Sequence, residues 1–110
     1  MSALMEAVEE TCLGPVERIP PGEGRTFVVE GREIAVFRGR DGRLFASQAR
    51  CPHREGPLAE GVFGAGQVIC PYHGYRFNLE SGACANDPGC SIRTYAVWEE
   101  DAQVLVVVGR

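Results

Sequence analysis

CPHREGPL at residues 51–58 and CPYHGYRFNLESG at residues 70–82 are the two stretches whose reading decides the fold of this chain. Reduced to their chemistry they run C-x-H, sixteen residues, C-x-x-H, through Cys51, His53, Cys70 and His73. Each knuckle supplies one cysteine and one histidine, and no other histidine occurs in the chain. A structural zinc finger usually pairs cysteine with cysteine on one knuckle and histidine with histidine on a helix. Here the ligand types are interleaved. A binuclear iron–sulfur centre explains this economically, with two loops converging on the ends of a [2Fe-2S] rhomb and each giving a thiolate to the inner iron and an imidazole to the outer iron. A zinc module with the same four ligands stays open beside it, and the two readings differ in colour and metal: one zinc and no colour, or a brown protein with iron and sulfide.

Around the knuckles, residues 50–89 are rich in Gly, Pro, Cys and His. A forty-residue stretch of this composition is not expected to form its own core, so something else must order it. Outside it the chain is cut by glycines and prolines into short alternating or β-branched segments, the pattern of an all-β domain. Residues 26–30 and 33–38 flank Gly31-Arg32 and read as a hairpin. Asp41-Gly42 marks a second turn, since both residues tolerate positive φ, and residues 44–49 make a third strand. Residues 91–98 and 103–108, separated by Glu99-Glu100-Asp101-Ala102, form another strand-turn-strand unit. At the start, Leu4, Met5 and Val8 fit a short helix, while residues 8–13 fit an edge strand.

With 110 residues, 45% hydrophobic and 24% charged, the chain has room for one core, and residues 1–110 read as a single domain. Five cysteines cannot all pair, which argues against a disulfide scaffold. All eleven basic residues are Arg, against fifteen acids and a net charge of −4, a balance that disfavours nucleic acid and anionic membranes. The longest apolar run, residues 104–108, falls far short of the roughly 20 residues of a membrane span. Glu6, Glu9 and Glu10 stand where a signal peptide would be apolar. The expectation is a cytoplasmic protein without nucleic-acid or membrane partners.

The two knuckles, with their flanking β pattern, the Asp41-Gly42 turn and the closing strands, resemble the domain of Rieske-type [2Fe-2S] proteins, and the resemblance runs along almost the whole chain. It implies an antiparallel β-sandwich or barrel carrying a cluster-binding subdomain at about residues 50–89. It further implies one [2Fe-2S] cluster per chain, with Cys51 and Cys70 on one iron and His53 and His73 on the other. Two ferric ions, two sulfides and two thiolates sum to zero charge, so an added electron is accepted more easily than by a four-thiolate centre. Rieske centres accordingly lie at roughly −150 to +300 mV against about −400 mV for plant-type ferredoxins. Pro52 and Pro71 fix φ in the loops, and Gly56, Gly61 and Gly74 allow close backbone approach.

Within the family, the proteins of respiratory and photosynthetic complexes carry an extra cysteine in each loop, joined by a disulfide, and two hydroxyl donors after the second histidine. This sequence has Gly56 and Tyr72 at the cysteine places, and Tyr75 and Phe77 at the hydroxyl places. Fewer hydrogen bonds to the sulfurs imply a low-potential centre like that of bacterial Rieske-type ferredoxins. Asp87-Pro88-Gly89 is similar to the proline loop covering the cluster in this family, and also reads as a plain turn. Cys12, Cys84 and Cys90 are surplus to the ligand set and read as small buried groups or exposed thiols. Phe27, Val97 and Trp98 are expected in the core, and Arg54 and Arg76 on the surface beside the ligands.

No nucleotide fingerprint or nucleophile–base pair is present, so the chain is expected to move electrons rather than to act as an enzyme alone. The resemblance implies a ferredoxin that takes one electron from a flavin-dependent reductase and passes it to the terminal oxygenase of a dioxygenase system. Residues 87–106 are also similar to the closing segment of the Rieske-like small subunit of assimilatory NAD(P)H nitrite reductase, whose partner would be the reductase large subunit. His73-Gly74-Tyr75 follows the ferredoxins, since many such subunits have His-Asn-Trp.

Overall fold

The computed structural model describes residues 10–52, 55–72 and 74–108. Among them lie nine strands, two 3-10 turns and no α-helix. The strands are β1 (Thr11–Pro15), β2 (Glu23–Val29), β3 (Arg32–Arg38), β4 (Leu44–Gln48), β5 (Val62–Gly64), β6 (Gln67–Ile69), β7 (Arg76–Asn78), β8 (Thr94–Glu100) and β9 (Gln103–Val107). A six-stranded antiparallel sheet has the order β1-β9-β8-β4-β3-β2, and a three-stranded antiparallel sheet has the order β5-β6-β7.

The run Ile34-Ala35-Val36-Phe37 in β3 organises both layers, because alternate side chains of a strand point to opposite faces. All four are fully buried. Ile34 and Val36 face a core with Val16, Ile19, Val29, Ala46, Val104 and Val106. That core takes residues from both edges of the large sheet, so the sheet curls towards a barrel. Ala35 and Phe37 face the other way, into a core with Phe45, Leu58, Val68, Phe77, Leu79 and Ile92. A strand buried on both faces reads as an unbroken apolar run, and Ile34, Val36 and Phe37 each contribute about 1.5–3 kcal/mol.

The second core shows what orders residues 50–89. The region folds its own small sheet, and Val68 and Phe77 pair across β6 and β7 to seal it against Phe37 and Phe45 of the large one. Few apolar residues suffice because they share a core instead of building one.

The turns follow from backbone chemistry. The β2–β3 hairpin pairs Val29 with Arg32, so its turn is Glu30-Gly31, one residue earlier than expected, with positive φ at both positions (53° and 77°). Such values match the twist of a two-residue hairpin. The Asp41-Gly42 turn stands as expected: Gly42 has φ 93°, and Asp41 Oδ1 accepts from Arg43 N at 3.0 Å. The last hairpin turns at Asp101-Ala102, both left-handed, and β8 runs from Thr94 to Glu100, starting and ending later than expected. The edge-strand reading near the start holds as β1 against β9, and the helix reading on Leu4, Met5 and Val8 lies outside the described residues. Val97 and Phe27 pack on the barrel core. Trp98 is only half-buried and joins neither core, because its neighbour Val97 takes the inward face of β8.

Candidate metal centre

The two knuckles are built to one plan. In the first, the bridge Arg50↔Pro57 closes residues 51–56 into a loop; in the second, the pair Ile69↔Arg76 of β6 and β7 closes residues 70–75. In each, the cysteine amide donates to the carbonyl five residues on, Cys51 to Gly56 at 2.9 Å and Cys70 to Tyr75 at 2.8 Å. The cysteine carbonyl accepts from the amide four residues on, Glu55 at 2.6 Å and Gly74 at 3.0 Å. That residue is left-handed in both loops, with φ 58° at Glu55 and 72° at Gly74. Glycine adopts this backbone freely, whereas a side chain there costs about 1–2 kcal/mol. The loops are thus shaped by their own hydrogen bonds, with each cysteine at the same geometric position.

Both sulfurs are withdrawn from solvent, Cys51 being 1% and Cys70 2% exposed, in the core shared by the two sheets. The loops meet at Gly56. A Cβ there would lie 2.9 Å from Cys70 Sγ and 3.1 Å from Tyr72 Cγ, so the backbone of the first knuckle rests directly on the sulfur of the second. At Gly61 an added Cβ would collide with the Ile69 carbonyl, just ahead of Cys70. Tyr72 lies against Gly56 and remains 60% exposed. No disulfide joins any of the five cysteines. Two buried thiols, on loops whose contact point admits no Cβ, fit a metal–sulfur group gripped from both sides. His53, Arg54 and His73 lie outside the described residues, so of the four expected ligands the described residues include only Cys51 and Cys70.

Further residues that the sequence did not single out hold the loops. Gln48 ties β4 to the segment before β8: its N donates to Arg93 O at 2.9 Å and its Oε1 accepts from Arg93 N at 2.8 Å. Its Nε2 donates to Arg50 O at 2.7 Å, at the entry to the first knuckle. Arg50 pairs with Glu33 at 3.2 Å and reaches Glu55 O at 3.4 Å, an exposed arrangement worth at most about 1 kcal/mol. Asn86 Oδ1 accepts from Arg76 N at 2.9 Å, and Ala85 N donates to Arg76 O at 2.8 Å, fastening the chain after Cys84 to β7. A single Gln or Asn carries no sequence signal for such a role.

Arg76 is exposed on β7, and Asp87-Pro88-Gly89 forms an exposed turn in which Asp87 Oδ1 accepts from Gly89 N at 2.9 Å. Cys12 is exposed on β1, its thiol 3.5 Å from Gln103 Oε1. Cys84 is buried and Cys90 half-buried, both in the core that holds Cys51 and Cys70. Desolvation, reinforced by the neighbouring thiols of Cys84 and Cys51, pushes the Cys90 thiol above its ordinary range. Among the described residues no helix is long and apolar enough to cross a membrane.

Residues 9–106 match the family model described as the Rieske [2Fe-2S] domain. The biphenyl dioxygenase ferredoxin subunit of Pseudomonas sp. strain KKS102 is 33% identical over 97 residues, covering 86% of this chain and 88% of that protein. The chain also matches oxygenases such as the 4β-methylsterol monooxygenase of Methylococcus capsulatus, of whose length it spans 24%. Among solved structures, the ferredoxin of carbazole 1,9a-dioxygenase from Nocardioides aromaticivorans superposes with a TM-score of 0.80 at 31% identity, covering 88% of this chain and 95% of that one. An NADH-dependent nitrite reductase small subunit from Mycobacterium tuberculosis reaches a TM-score of 0.87, covering 94% and 97%; at 23% identity it speaks for the fold alone.

Proposed function

Because the chain belongs to the Rieske [2Fe-2S] domain family, we propose that it is a one-electron carrier of the ferredoxin type, built as a single domain over residues 1–110. The observation that carries this reading is the pair of matched loops with buried cysteines, set in a chain that covers nearly the whole of a dioxygenase ferredoxin. Cys51 and Cys70 would hold one iron and His53 and His73 the other. When bound, the group supplies a site that takes up and releases one electron at a time.

The chain's own residues do the rest. Cys51 and Cys70 act as thiolates presented from equivalent loop positions, which requires both to lose their protons on binding. Gly56 lets one loop close on the other, and the shared core keeps water from the sulfurs. Tyr72 takes the place where related proteins of respiratory complexes carry a disulfide. Its exposure leaves an aromatic face beside Cys70 for a partner to approach, and electrons would leave through His53 and His73. Phe77 is fully buried among apolar side chains and offers no hydroxyl to a sulfur, which favours a low potential.

The donor would be a flavin-dependent reductase and the acceptor a terminal oxygenase, in the cytoplasm. The similarity to dioxygenase ferredoxins supports this pairing. A second reading, the small subunit of an assimilatory nitrite reductase, draws on the fold similarity to such a subunit. A coupled assay separates them: the protein, reduced by a flavin reductase and NADH, sustains substrate hydroxylation by an oxygenase encoded beside it. Failure there, with copurification of a sirohaem reductase subunit, would replace the first reading by the second.

A further inference from the structure

Cys84 and Cys90 belong to neither knuckle, and electron transfer leaves them without a task. The bridge Ala83↔Ser91, with Ile92 N donating to Gly82 O at 2.9 Å, sets two chain segments antiparallel. In that register residue 84 stands opposite residue 90. Residues facing each other across an antiparallel pair have Cα atoms roughly 4.5–5.5 Å apart, inside the window of about 4.4–6.8 Å that a disulfide spans. Cys84 is buried in the shared core and Cys90 packs against that same core. Between them residues 85–89 form an exposed turn. This is a facing thiol pair, unlike Cys12, which stands opposite Leu105.

We propose that Cys84 and Cys90 form a cross-strand dithiol site that exchanges with small-molecule disulfides of the glutathione class and closes to a disulfide across the turn. Cys90, the more exposed of the two, attacks one sulfur of the small disulfide; that S–S bond breaks, one small thiol departs, and a mixed disulfide remains on Cys90. The buried Cys84 sulfur then attacks the Cys90 sulfur, the Cys84–Cys90 bond forms, and the second small thiol leaves. Two electrons pass from the protein pair to the reagent, and the two thiol protons end on the departing thiols. Because both cysteines share the core of Cys51, the bond fixes the turn beside the first knuckle. The register alone carries this inference, so it stands or falls separately from the metal centre.

The test is anaerobic incubation of the purified holoprotein with oxidised glutathione, quenching by alkylation, and peptide mapping by mass spectrometry. The wild type should yield a peptide linked through Cys84 and Cys90 as the main product, with exposed Cys12 taking up glutathione as the reference for reagent access. Cys84→Ser should stop at a glutathione adduct on Cys90, and Cys90→Ser should leave Cys84 unmodified. Recovery of both Cys84 and Cys90 as alkylated thiols while Cys12 is glutathionylated would overturn the proposal, as would a stable adduct on Cys90 of the wild type. A colourless preparation that still forms the link would support the dithiol site and refute the iron–sulfur reading instead.

Discussion

Gly56→Ala isolates the contact on which the candidate centre depends. Gly56 is buried, and its backbone is not left-handed, so alanine meets no conformational strain and the effect is steric. The new methyl would lie 2.9 Å from Cys70 Sγ and 3.1 Å from Tyr72 Cγ. Tyr72 is exposed and can swing aside; Cys70 cannot once its sulfur holds iron. Overpacking of this kind costs about 1–3 kcal/mol, offset by about 0.4–1 kcal/mol from the stiffer unfolded chain. The midpoints of these ranges leave a net loss of about 1.3 kcal/mol, which lowers the melting temperature of a domain this size by about 5–10 °C. The assay is thermal unfolding of the loaded protein, followed by visible absorption and far-ultraviolet circular dichroism. Gly64→Ala is the control, since a Cβ there meets nothing within 4 Å. The loaded Gly56→Ala protein should melt early and lose colour first, whereas the metal-free protein, in which Cys70 can rotate, should show a smaller difference. A loaded Gly56→Ala protein melting at or above the wild type would refute the reasoning.

Other expectations follow from the same geometry. Cys51→Ala or Cys70→Ala should abolish the visible spectrum, because each removes one of two thiolates and leaves the loops without their bound metal; a full spectrum in either variant would show the ligand assignment to be wrong. Gly24→Ala places a methyl 2.7 Å from the fully buried ring of Phe37, so denaturant unfolding should show a loss of about 1–3 kcal/mol with the spectrum of the surviving protein unchanged. Phe77→Ala empties a buried site between the small sheet and β3, and should cost about 3–5 kcal/mol in the same experiment. Redox titration should place the midpoint below about +100 mV, in the lower part of the Rieske range; a higher value would mean that Tyr75 or backbone amides supply sulfur hydrogen bonds after all.

Much of this was legible in the sequence because the signals were local. The repeated Cys-Pro knuckle foretells the two matched loops that bury Cys51 and Cys70, and Asp41-Gly42 announces a turn through its tolerance of positive φ. Glu30-Gly31 was missed by one residue because glutamate carries no such tolerance; tertiary pairing of Val29 with Arg32 imposes the left-handed backbone on it. The small sheet was invisible for a different reason. β5, β6 and β7 are three residues each, too short to show alternation, and their core is completed by Phe37 and Phe45, far away in the chain. Trp98 was misplaced because alternation fixes two faces but not which of them is inside. The proposed facing of Cys84 and Cys90 depends on the register of the isolated bridge Ala83↔Ser91, which no spacing rule encodes.

Elemental and labile-sulfide analysis of protein prepared without oxygen tests the central claim most directly. A [2Fe-2S] carrier gives a brown protein with two irons and two acid-labile sulfides per chain and no zinc. A colourless protein with one zinc and no sulfide, bound by the same two loops, would contradict it.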